Sequence, residues 1–83
     1  MKNIRYNLIF KPEPAGGFTV VVPSLPGCIT YGETLEEARK YAVEAIEVYL
    51  ESLKRHQEPI PSDDASFIST ISLEKLPNKV AYV

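Results

Sequence analysis

Between Thr34 and Pro61 the sequence carries one long amphipathic helix pattern, and everything else in the chain is short and extended. Thr34-Leu35-Glu36-Glu37 fits a capping box: the Thr34 hydroxyl accepts from the Glu37 amide while the Glu37 carboxylate reaches back. Acidic residues fill the first turn, and Lys54, Arg55 and His56 fill the last, as the helix dipole favours. Pro59 and Pro61 end the pattern, so the spacing predicts a helix over Leu35–His56. At roughly 100° per residue, Glu36, Glu37, Lys40, Glu44, Glu47, Glu51, Lys54 and Arg55 share one face. Leu35, Ala38, Ala42, Ala45, Ile46, Tyr49 and Leu53 lie opposite. Tyr41 and Val48 widen that stripe on one side, Val43 and Leu50 on the other. The apolar arc is then about twice the ~100° that packing on one sheet needs. Two explanations stand open: the tail covers the flanks, or a flank meets a second subunit. Tyr41, Val43, Val48 and Leu50 are therefore the candidate oligomer or partner contacts.

A helix so patterned needs a sheet to cover, and three short extended segments precede it. Ile4, Tyr6, Leu8 and Phe10 alternate with Arg5, Asn7, Ile9 and Lys11, the period of a half-buried strand over Ile4–Lys11. Pro12-Glu13-Pro14-Ala15-Gly16-Gly17 breaks it. Phe18–Val22 resumes the alternation, which makes a hairpin. Pro23-Ser24-Leu25-Pro26-Gly27 is a second break with a Pro-Gly turn, and Cys28–Tyr31 reads as a third strand ended by Gly32. After the helix, Ser62-Asp63-Asp64-Ala65 reads as a loop with no fixed partner for its acids. Phe67–Leu73 alternates again as a fourth strand, and residues 80–83 read as a short edge strand or exchanged arm. The expected fold is α+β: a three-stranded antiparallel meander with one long helix packed on it, in the order β-β-β-α-β. It is expected as a single domain over residues 1–83, with its core over 4–61 and a C-terminal strand and tail over 66–83.

The chain has 83 residues, enough for one modest core. Cys28 is the only cysteine and His56 the only histidine, so neither a disulfide nor a zinc cluster can reinforce it. Self-association is the remaining source of added stability, and a dimer or tetramer is expected. The net charge is −2 and the nine Lys and Arg residues are spread along the chain. Nucleic-acid binders concentrate such residues on one face, so that class is not favoured. Met1-Lys2-Asn3-Ile4 leads straight into a strand pattern, with no signal-peptide or membrane-spanning run. The cytoplasm is the expected location, where a lone reduced cysteine is at home.

The residues offer little for catalysis. Cys28 follows a turn and His56 ends the helix, and nothing in the sequence brings them together as nucleophile and base. Packing suits Cys28 better, and a helix C-terminal charge or donor suits His56. The helix glutamates, interleaved with Lys40, Lys54 and Arg55, read as a salt-laced solvated face rather than an acid–base pair or metal site. Gly16-Gly17 joins antiparallel strands and does not feed a helix N-terminus, so it is not a phosphate loop. Tyr6, Phe10 and Phe18 lie on the faces that should meet the helix, which favours core packing over base stacking.

Together the motifs resemble a known family. The stretch from Tyr6 to Pro61 resembles the HicB antitoxins of bacterial and archaeal toxin–antitoxin modules. The match rests on the hairpin, Val22-Pro23-Ser24-Leu25-Pro26-Gly27-Cys28, Gly32-Glu33-Thr34-Leu35-Glu36-Glu37-Ala38, the long helix and Pro59-Ile60-Pro61, in that order. The resemblance implies a partial ribonuclease-H-like fold without nuclease activity, and the first strand here is free of acids. It implies a protein that binds and neutralises HicA, a small RNA-cleaving toxin, commonly as a dimer or tetramer, with no cofactor or metal. The motif residues Pro23, Leu25, Pro26, Gly27, Cys28, Gly32, Thr34, Glu37 and Ala38 are then expected to define the fold. Longer members add a helix-turn-helix or ribbon-helix-helix domain that binds their own promoter. No helical pattern or basic cluster follows Pro61, so DNA binding is not expected. The alternative is a solo homo-oligomeric scaffold or ligand-binding protein without a toxin.

Overall fold

A hairpin opens the structure, a computed structural model that describes residues 4–75. Strand β1 (Ile9–Pro12) pairs antiparallel with β2 (Phe18–Val21), and β2 pairs antiparallel with β3 (Ile29–Gly32). The sheet order is β1-β2-β3, the expected meander. Phe10, Val20 and Thr30 lie opposite one another on the helix side, and Ile9, Val21 and Ile29 form the matching row on the other side.

The helix α1 (Leu35–Arg55) follows and lies over β3 and β2. Its cap forms as the sequence predicts on one side, Glu37 donating its N–H to Thr34 Oγ1 at 3.0 Å. The return bond differs: Glu37 Oε1 accepts from the N–H of Glu33, one residue earlier than the box prescribes. The helix stops at Arg55, with His56 as C-cap rather than a helical residue. Glu58 N–H donates to Leu53 O and Gln57 N–H to Lys54 O, the paired bonds of a Schellman ending. This geometry places Gln57 at φ 56°, in the left-handed region.

Two clusters make the core. Val20, Ala38 and Ala42 meet under Leu8, Phe10 and Phe18. Val22, Leu25 and Cys28 meet under a wider ring that includes Tyr6, Ile46, Tyr49 and Leu53. Leu35, expected on the buried stripe, is instead exposed at the first turn. The helix can come this close because Gly32 has no side chain: a Cβ there would sit 2.3 Å from the Ala38 backbone nitrogen.

Three expectations need correction. The pairing of the first strand begins at Ile9 rather than Ile4, because β2 ends at Val21 and the chain turns at Pro23, which has no N–H to offer. The loop acids do have a fixed partner set. Asp63 donates its N–H to Arg5 O at 2.9 Å, and its Oδ2 accepts from Asn7 N–H at 2.8 Å. Its Oδ1 accepts from the Ser24 hydroxyl, so Asp63 stands where β2 has run out. The predicted strand over Phe67–Leu73 does not form. Ser66 N–H bonds Asp63 O in a turn, and the segment beyond it pairs with neither edge of the sheet; a strand exists only as part of a sheet. The expected strand at 80–83 lies outside the described residues.

Candidate protein-binding surface

The Pro-Gly turn fixes one wall of the surface. Cys28 N–H donates to Leu25 O at 2.9 Å across Pro26-Gly27, with Gly27 at φ 82°, which is type II turn geometry. Leu25 is driven fully into the core by this loop and Cys28 almost so, while Pro23, Pro26 and Gly27 stay exposed. Tyr49 locks the loop to α1 by donating its hydroxyl to Pro26 O at 2.9 Å. Gly32, Thr34, Glu37 and Ala38 make the β3–α1 junction described above. The motif residues thus hold the loop and the helix in place.

Beside that loop runs a groove of about 590 Å³ between β3 and one flank of α1. Tyr41, Glu44 and Val48 line it from the helix, Ile29 and Thr30 from the strand. Val48 is 69% exposed and Ile29 58%. Tyr41, Glu44, Val48 and Glu51 follow one another at spacings of three and four residues, so they form one continuous stripe. From Tyr41 to Leu53 the helix carries Glu44, Glu47 and Glu51 and no Lys or Arg. An apolar centre with an acidic border results, a surface suited to a partner that presents apolar contacts ringed by positive charge. The Arg55–Glu51 pair, 3.3 Å apart and exposed, lies at its far end and adds little stability.

The other two candidate contacts sit elsewhere. Val43 and Leu50 line a second groove of about 300 Å³, between the opposite flank of α1 and the segment Ile4–Leu8. The sequence therefore named four contact candidates that the fold divides between two surfaces. Sequence reasoning missed Ile29, and with Ile9 and Val21 it misses an apolar row on the face of the sheet turned away from α1. The signal was present: Ile9 and Val21 are apolar residues at the polar phase of their strands.

Four titratable groups have structural settings. Cys28 is buried, and burial pushes its thiol up from the ordinary value, which makes it a poor nucleophile. His56 is exposed at the helix end, its Nδ1 2.8 Å from Ser52 O. Tyr6 has its hydroxyl raised by burial and by the nearby carboxylates of Asp63 and Asp64, and it donates to Pro61 O. The Ser24 hydroxyl and then the Asn7 amide hold Asp63 below the usual carboxylate range. Among the described residues, no three His, Cys, Asp or Glu side chains gather as metal ligands, and no helix is long and apolar enough to cross a membrane.

The sequence has recognisable relatives. A family model for a HicB_like antitoxin of bacterial toxin-antitoxin system matches residues 6–81. The UPF0150 protein Ta0767 of Thermoplasma acidophilum is 46% identical over 66 residues, spanning 80% of this chain and 96% of that protein. The UPF0150 protein ssr1765 of Synechocystis is 41% identical over 59 residues, 71% of this chain and 75% of the relative. Antitoxin HicB 1 of Photorhabdus laumondii is 36% identical over 61 residues, 74% of this chain but 39% of that longer protein.

Proposed function

Because this chain belongs to the HicB-like antitoxin family, we propose that it is a non-catalytic module that neutralises a small, basic, RNA-cleaving toxin of the HicA type by direct binding. It acts by occlusion. The stripe of Tyr41, Glu44, Val48 and Glu51, with Ile29 beside it, covers the toxin's basic surface; the apolar centre supplies affinity and the glutamates speed and orient the encounter. The single observation carrying this reading is that acid-bordered, exposed apolar stripe beside a loop and helix held rigid by buried Leu25 and the Thr34 cap. No step of it requires a cofactor, a metal or DNA. The test is co-expression with a small, basic toxin of the HicA type, followed by an RNA-cleavage assay. A one-to-one complex that abolishes cleavage supports the reading; unimpaired cleavage with equimolar antitoxin contradicts it.

A second reading, a homo-oligomer that works without a toxin, is favoured by a separate observation. Phe67 and Ile71 are 88% and 86% exposed, which a chain acting alone has no reason to keep.

A further inference from the structure

The segment Phe67–Leu73 resembles a strand and forms none, and it follows Asp63, whose N–H is bonded to Arg5 O in the first extended segment. Phe67, Ile71 and Leu73 alternate on one side of the segment Phe67–Leu73, with Ile68, Thr70 and Ser72 on the other. All four large apolar residues in it are at least 60% exposed, and among the described residues none covers them. The run contains no proline, so every backbone N–H is available for pairing.

The complementary surface is the outer edge of β1, which no other strand pairs among the described residues. Val22 N–H donates to Cys28 O at 3.0 Å, so the even-numbered residues of β2 pair with β3 and the odd-numbered ones with β1. On β1 the odd residues, opposite Val21 and Thr19, therefore face β2. Phe10, and Leu8 one alternation earlier, turn their N–H and C=O groups outward. Flanking this edge is the groove of Val43, Ile46 and Leu50 with Leu8 and Tyr6, apolar in the middle and bordered by Arg39 and Glu47. Since α1 lies over β3 and β2, the helix side of β1 is the thinly covered part of the sheet.

We propose that residues Phe67–Leu73 of one copy add as a strand to the outer edge of β1 in a second copy, with Phe67, Ile71 and Leu73 seated in the Val43–Leu50 groove, and that the exchange is reciprocal. This rests on the homo-oligomer reading above and names its interface. Each chain carries both the arm and its receptor, so a two-fold pair leaves no arm and no receptor unmatched. Two arms of three large apolar side chains, each meeting an equal area of groove, bury on the order of 1,500 Å², the size of a stable interface. The pairing also adds to a core that has six buried apolar residues among the described residues. Backbone pairing gives the affinity, and the alternate side chains give the register.

The test is sedimentation of the full chain over a micromolar concentration range, with amide hydrogen exchange at Leu8 and Phe10. The wild type sediments as a dimer with both amides protected. Phe67→Ser combined with Ile71→Ser, at positions exposed within one chain and so harmless to its folding, raises the dimer dissociation constant more than about 100-fold and frees both amides. Val43→Glu, on the receiving groove, weakens the dimer in the same direction. A dimer that survives these variants overturns the exchanged arm while leaving self-association intact. A monomer at every concentration overturns both. A monomer with protected Leu8 and Phe10 shows the arm closing on its own chain and overturns the exchange.

Discussion

Asp63 accepts the backbone N–H of Asn7 at 2.8 Å across 56 residues of sequence, and with this bond the chain beyond the helix closes the open start of the sheet. Asp63 is buried, and with the Ser24 hydroxyl and the Arg5 carbonyl it completes a polar knot that joins the first extended segment, the Pro-Gly loop and the post-helix segment. The family motif places the loop; this carboxylate ties it down.

That knot predicts a pH dependence. The Ser24 and Asn7 bonds depress the Asp63 pKa in the folded state. A depressed carboxylate stabilises the fold above its unfolded pKa of about 3.9, and the contribution fades as pH falls through the lower folded value. Thermal melts should therefore put Asp63→Asn below wild type at pH 7, with the gap shrinking steadily below about pH 4. A constant gap down to pH 2 would mean that the charge of Asp63 does not matter.

Gly32 marks the closest approach of strand and helix. Alanine there places Cβ 2.3 Å from Ala38 N and 2.4 Å from Ala38 Cα, backbone atoms that cannot rotate away. Gly32→Ala should lose about 2–3 kcal/mol, or about 10–20 °C in Tm. Calorimetry of the variant checks this, and a Tm within a few degrees of wild type would show that the junction is looser than described.

Gln57 offers a gain. It holds a left-handed conformation at φ 56° that a glycine adopts without steric cost, and its side chain is exposed. Gln57→Gly should stabilise by about 0.5–1 kcal/mol, read as a higher urea midpoint at unchanged m-value. Destabilisation would imply that its side chain contributes more than its backbone strains.

Much of this was legible in the sequence because the signals were local. Thr34 and Glu37 announce the helix start by their spacing, Pro26-Gly27 announces its turn, and the alternation of Phe18, Val20 and Val22 fixes which side of β2 is buried. What escaped depended on distant partners. Asp63 looked like any loop acid, since only the fold brings Asn7 and Ser24 to it. Phe67–Leu73 has a strand's alternation, but whether a strand forms depends on an available edge, which local pattern does not encode. Tyr41, Val43, Val48 and Leu50 were visible as surplus apolar surface. Their division between two grooves follows from the placement of α1 over β3 and β2, a tertiary fact.

The account centres on the stripe of Tyr41, Glu44, Val48 and Glu51 as the surface that engages a basic partner. Titration calorimetry of a HicA-type toxin against Val48→Arg, with Ala15→Ser in the exposed β1–β2 turn as a control away from the stripe, tests it most directly. Val48→Arg places a like charge before a basic surface at a position 69% exposed, where folding is unaffected. The account predicts a loss of at least about 10-fold in affinity for Val48→Arg and none for the control. Equal affinities for Val48→Arg and wild type would contradict it.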